Sequence, residues 1–241
     1  MRLQNKVAMI SGGSAGLGAA LALRYAEEGA LVSVCGRGRY DLKAVCRSLD
    51  EIGARCITFP ADVRHEDDVS RWVEYTYNEL GQIDVLVNNA SLLGPRVGIE
   101  EYGLPEWKDV IDVNLTGAFL CARAVVPFLK ETRGSLINIS SGVGDHGRPY
   151  WGAYCVSKNG LEAMSELMAG ELAESGVRVN AVDPGKMRTE MRAAAYPEED
   201  PETLPAPYDI TDVFVFLASD SSADVSGQRF RAQEFEWPQS V

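Results

Sequence analysis

Apolar positions along this chain alternate between two patterns. Short, nearly continuous apolar runs begin near Val7, Leu31, Cys56, Val85, Leu136, Val179 and Arg229. Between them lie stretches with helical spacing, such as LGAALALRYAEE (17–28) and EDDVSRWVEYTYNEL (66–80). Gly29, Gly53, Gly81 and Gly176 each precede an apolar run, and glycine suits the left-handed position just past a helix C-terminus. Repeated strand–helix alternation predicts right-handed βαβ units, hence an α/β, doubly wound parallel sheet of about seven strands covered on both faces. Residues 105–130 read as a helix with Pro105 in its first turn, and residues from about 151 to 175 read as another. Only 192–208, RAAAYPEEDPETLPAPY, lacks any period; a lid over a cleft at about 190–208 is expected, with a solvated connection as the alternative.

Length and composition narrow the picture further. At 241 residues one dinucleotide-sized domain spanning 1–241 is expected, and 46% hydrophobic with 24% charged residues fits an ordinary globular chain. A formal charge of −12 opposes binding to nucleic acid or to an anionic membrane surface, so any anionic ligand needs local donors. The N-terminal apolar run, Val7–Ile10, is too short for a signal or spanning segment, and no other run is read as reaching membrane length. Cys35, Cys46, Cys56, Cys121 and Cys155 are scattered without metal-ligand spacing, so reduced core thiols, a cytoplasmic location and no metal are expected.

The first candidate chemistry is a phosphate cradle. VAMISGGSAGLGAALAL sets a glycine cluster directly after the first strand and before the first helix. Gly12, Gly16 and Gly18 permit a tight turn and close backbone approach, and the free amides at the helix start can receive a pyrophosphate. At the end of the second strand, where an acid would bind a ribose 2′-hydroxyl, the chain has Gly36 followed by Arg37. A guanidinium suits a 2′-phosphate, so NADP(H) is preferred and NAD(H) remains possible; the alternative is a solvated loop cation.

The second is YWGAYCVSKNG, residues 150–160. Tyr154 and Lys158, four apart in a helix, lie on one face about 6 Å apart along the axis. Tyr150 is about 12 Å from Lys158 along the same axis, too far for contact, which leaves it as a wall residue of the cleft. A neighbouring ammonium favours phenolate, so Lys158 is expected to lower the Tyr154 pKa. Alone, the two could be a surface pair.

Several motifs in register give the chain its resemblance to the short-chain dehydrogenase/reductase family over almost its whole length. These are SGGSAGLG at the first turn, NNAS at 88–91 with Ser91 where glycine is usual, DVNLTG with Asn114, INISS with Ser141, YCVSK with Tyr154 and Lys158, and DPGKMRT with Pro184, Gly185 and Thr189. The resemblance implies a three-layer Rossmann-type fold with strand order 3-2-1-4-5-6-7 and a homotetramer or homodimer. It implies that Ser14, Leu17, Asp62, Val63, Asn89, Ala90, Met187 and Thr189 join the glycines, Arg37, Tyr154 and Lys158 around the cofactor. It assigns Ser141 to polarising the substrate oxygen, where a hydroxyl stabilises developing charge, and Asn114 to a water linking Lys158 to solvent. Asparagine inside a helical run is itself a local conflict of the kind found at functional positions.

The activity so implied is an NADP-dependent carbonyl reductase, an oxidoreductase interconverting a carbonyl and a secondary alcohol with Tyr154 as general acid and base. Rival readings are a nicotinamide-retaining epimerase or dehydratase, whose larger C-terminal domain is missing, and a non-catalytic cofactor-sensing module, which would have lost an active-site residue. Val143, His146, Tyr150 and Trp151, with Leu92, Leu93 and Met187, are the expected substrate wall. Its apolar and aromatic character fits a ketone, a keto ester or a quinone.

Overall fold

A computed structural model describes residues 1–238. Seven strands, β1 (Val7–Ser11), β2 (Leu31–Gly36), β3 (Cys56–Pro60), β4 (Val85–Asn88), β5 (Ser135–Ile139), β6 (Arg178–Asp183) and β7 (Arg229–Arg231), form one sheet in the order β3-β2-β1-β4-β5-β6-β7. Every neighbouring pair is parallel. The strand order reverses between β1 and β4, and at that switch point a crevice opens beyond the carboxyl ends of the strands.

Helices α1 (Gly16–Glu27), α2 (Arg39–Glu51), α3 (Glu66–Leu80), α4 (Leu104–Ile111), α5 (Gly117–Thr132), α6 (Gly152–Leu172), α7 (Glu190–Ala195) and α8 (Asp212–Ala218) supply the outer layers. Because successive strand residues point to opposite faces, Ala8 and Ile10 join one core with α1 and α8, whereas Met9 and Leu86 join a second with α3 and α5. The glycines that end helices do so in the left-handed region: φ is +92° at Gly29, +84° at Gly81 and +75° at Gly176. The segment 192–208 is less irregular than its composition predicts, since α7 runs into it and single 3₁₀ turns occupy Pro201–Thr203 and Pro207–Ile210.

Two expectations are corrected. Cys46 of α2 and Cys56 of β3 form a disulfide, Cα atoms 5.4 Å apart, so only Cys35, Cys121 and Cys155 are free, all buried. The two sulfurs meet because α2 packs back onto β3, a juxtaposition that the ten-residue spacing does not reveal. Secondly, the continuous helical stretch Leu104–Thr132 is long and apolar enough by composition to cross a membrane, with a mean hydropathy of 1.4 over its most apolar window. Half of that window is buried in this fold, where α5 packs against α3 and the sheet.

Candidate active site

The crevice holds a cavity of about 630 Å³. One end is the turn between β1 and α1. Gly12 (φ +64°) and Gly16 (φ +53°) take conformations that L side chains resist. A Cβ on Gly12 would lie 2.9 Å from the Ala90 Cα, and one on Gly18 would lie 2.3 Å from the Gly12 carbonyl oxygen. Asn89 ties this turn to β4, its amide donating to the carbonyls of Ser11 (2.9 Å) and Gly12 (3.0 Å), while the Ser11 hydroxyl accepts from the backbone of Asn89 and Ala90. No side chain caps the start of α1, so its first-turn amides stay free for an anion.

Beside the turn, Ser14, Leu17, Arg37, Asp62 and Val63 line the cavity, with Arg37 exposed at its mouth. Asp62 is gripped by the Arg64 guanidinium at 2.7 Å, and that hydrogen bond holds its carboxyl below the usual range. Pro184, Met187 and Thr189 close the cavity from the β6 side. The Thr189 hydroxyl caps α7 by accepting from the Arg192 amide at 3.2 Å, and Gly185 lies exposed just outside the lining. Glycine turn, guanidinium and uncapped helix together fit a phosphorylated dinucleotide.

The other end carries Tyr154 and Lys158, both buried on α6 and both lining the cavity. The Lys158 ammonium donates to the Ile139 carbonyl at 2.7 Å and lies 5.6 Å from the centre of the Tyr154 ring. Burial lowers the Lys158 pKa to about 8, with Glu162 opposing the fall. Burial pushes the Tyr154 phenol up, the Ser141 hydroxyl counteracts part of that rise through a hydrogen bond, and Asp183 adds to it. Lys158, expected to lower the phenol, is not among the groups that shift it in this structure; burial is the largest influence.

Asn114 lies in a π-helical turn, Asp112–Thr116, between α4 and α5. Widening the helix there lets its side chain reach sideways: Oδ1 accepts from the Leu92 amide at 2.7 Å, and Nδ2 donates to the Leu92 carbonyl at 2.9 Å and to Ser157 Oγ at 3.0 Å. Asn114 thus fixes the loop after β4 against α6, directly beside the tyrosine.

Val143 and Trp151 pack with Tyr154 in a small buried apolar cluster that Leu92, Leu93, Met191 and Tyr196 border; of these Tyr154, Leu92 and Met191 line the cavity, and Val143 and Trp151 stand behind them. Trp151 lies 5.7 Å from Tyr154 and 6.3 Å from Tyr196, ring centre to ring centre. Tyr150 does not join them: it is 65% exposed with φ +65°, turned to solvent at the entry to α6. His146 is also exposed, paired with Asp145. Sequence reasoning missed Arg96, whose guanidinium lies 4.6 Å from the Trp151 ring centre and 4.8 Å from that of Tyr196 while donating to the Ala195 carbonyl. It clasps the loop after β4 to α7, and no local sequence signal marks it.

Residues 6–200 match the family model described as short chain dehydrogenase. The chain is 34% identical over 235 residues to the oxidoreductase YciK of Escherichia coli K12, covering 96% of this chain and 93% of that protein. It is 36% identical over 238 residues to the 3-oxoacyl-[acyl-carrier-protein] reductase FabG of Thermotoga maritima, covering 95% and 96% respectively. The structure of a short chain dehydrogenase of Escherichia coli CFT073 complexed with NADPH superposes with a TM-score of 0.93 at 34% identity, covering 96% of this chain and 98% of that one. The sheet order agrees with these likenesses, and the chain belongs to the short chain dehydrogenase family of oxidoreductases.

Proposed function

We propose that the protein is an NADP(H)-dependent carbonyl reductase acting between a carbonyl compound and its secondary alcohol. The observation that carries this reading is the opening of Tyr154 and Lys158 onto the same cavity as the glycine turn and Arg37. Solved relatives complexed with NADP and with NADPH support the cofactor. A relative 33% identical, the 3alpha-hydroxysteroid dehydrogenase of Mediterraneibacter gnavus, and the 3-oxoacyl reductase both bear names that describe a carbonyl–alcohol pair.

A nicotinamide bound in this cavity would supply the hydride. The glycine turn and the free amides of α1 would hold its phosphates, Arg37 its 2′-phosphate, and Asp62 and Val63 its adenine end. Tyr154 donates its proton to the substrate oxygen, and the Ser141 hydroxyl, which opposes the rise that burial imposes on that phenol, stabilises the charge that develops there. Lys158, fixed by the Ile139 carbonyl, keeps a cation beneath the phenol as it gives up its proton. Leu92, Met187 and Met191 offer an apolar lining that suits a ketone, keto ester or quinone.

Thermal stability in NADPH against NADH, followed by consumption of the preferred cofactor over a carbonyl panel, tests the reading. Saturation at about a hundred times Kd adds about 2.7 kcal/mol, a readable shift. Equal or greater stabilisation by NADH would reject the role given to Arg37.

A further inference from the structure

Behind the tyrosine–lysine pair lies a charged cluster that the reaction as described does not use. Glu162, one turn beyond Lys158 on α6, has a side chain only 12% exposed, and Arg229 of β7 meets it with Nε to Oε1 at 2.8 Å. The same guanidinium donates to Asp145 Oδ2 at 2.8 Å and to the Ser141 carbonyl oxygen at 3.0 Å, and it lies 3.7 Å from Asp183. All three of its nitrogens are thereby engaged, two of them on the loop that carries Ser141. From the other side α6 grips that loop as well: Asn159 donates to the Val143 carbonyl at 2.8 Å, and the Cys155 thiol lies 3.3 Å from the carbonyls of Val143 and His146.

We propose that Arg229 and Glu162 are a positioning pair: Arg229 fixes the Ser141 loop against Tyr154, and Glu162 supplies Lys158 with a buried counter-charge. The proposal rests on the reading of Ser141, Tyr154 and Lys158 as the reacting set. A carboxylate one turn away favours the ammonium form of a lysine that burial would otherwise discharge, and Glu162 acts on Lys158 in that direction. Glu162 is itself pushed up by burial, with the Ser140 hydroxyl and Arg229 opposing the rise and Asp183 adding to it. Arg229, held to Glu162 at 2.8 Å, therefore opposes the discharge that burial favours at this carboxylate. The charged and titratable groups that meet around this point are Tyr154, Lys158 and Glu162 on α6, Asp183 on β6, Arg229 on β7 and Asp145 in the loop.

The test compares Glu162→Gln, Arg229→Met and the conservative Arg229→Lys in the full chain. Lysine labelled with ¹³C at Cε reports the titration of Lys158, its resonance identified by loss in Lys158→Arg; this needs no substrate. Glu162→Gln should lower the Lys158 midpoint by about half a unit or more. With ethyl acetoacetate, or whichever panel carbonyl the wild type reduces, Arg229→Met should lower kcat about tenfold with the KM for NADPH within about twofold, and Arg229→Lys should recover part of the loss. An unmoved Lys158 midpoint in Glu162→Gln, or unchanged turnover per folded Arg229→Met molecule despite a lower Tm, would overturn the proposal and leave the cluster as a strap for β7. If the wild type reduces no carbonyl compound, the reductase reading fails and the lysine titration still decides on Glu162.

Discussion

Lys158 carries a cost that the site accepts for its charge. Its folded pKa of about 8 lies below the unfolded value of 10.5, so between those values the unfolded chain holds the proton more firmly and stability rises with pH. The penalty is present in full below about pH 8 and is relieved as pH approaches that of an unfolded lysine. Relative to Lys158→Met, the wild type should therefore gain on the order of 3 kcal/mol across that window, read from denaturant unfolding at a series of pH values. Parallel stability–pH curves for the two proteins would refute the buried, partly discharged lysine. At the glycine turn the constraint is steric. Gly18→Ala would drive a methyl group against the Gly12 carbonyl, so NADPH binding should weaken at least about tenfold, measured by cofactor fluorescence, and Tm should fall.

Among the elements, α2 is held to β3 by the disulfide, and the loop so closed is short. Cys46→Ser or full reduction should cost about 2–3 kcal/mol of stability by the loop-closure argument, seen as a lower urea midpoint with the slope little changed. An unshifted midpoint would show that the bridge adds nothing. Seven strand starts and the glycine stops were legible in the sequence because both signals are local: apolar runs of strand length, and a residue suited to left-handed backbone. The tyrosine–lysine pair was legible for the same reason, one helical turn being a fixed distance. Contacts made across the fold were not. Arg229 and Glu162 are 67 residues apart, and Arg96 reaches Trp151 and Tyr196 from another loop. Nothing in the spacing of Cys46 and Cys56 distinguishes a bridge from two free thiols. Asn114 stood out as a poor helix former, but that it marks a π turn bracing Leu92 is set by the folded helix pairing and not by local sequence.

The whole molecule is acidic, with Arg37 exposed at the mouth of its crevice. Against a net charge of −12, binding of the proposed NADP(H) would fall to local donors: free amides, Arg37 and Lys158. Arg37→Ala should therefore weaken NADPH by about 1.5–3 kcal/mol, the range for a hydrogen bond to a charged group, while NADH binding stays nearly constant. Equal losses for both cofactors would place Arg37 away from the 2′-phosphate. The central claim is that a phenol buried on α6 delivers the proton, and its direct test is Tyr154→Phe assayed for NADPH consumption with a carbonyl the wild type reduces. Turnover should fall about 10²- to 10⁴-fold while NADPH still binds within about twofold of the wild type. A variant that turns over at the wild-type rate would contradict it.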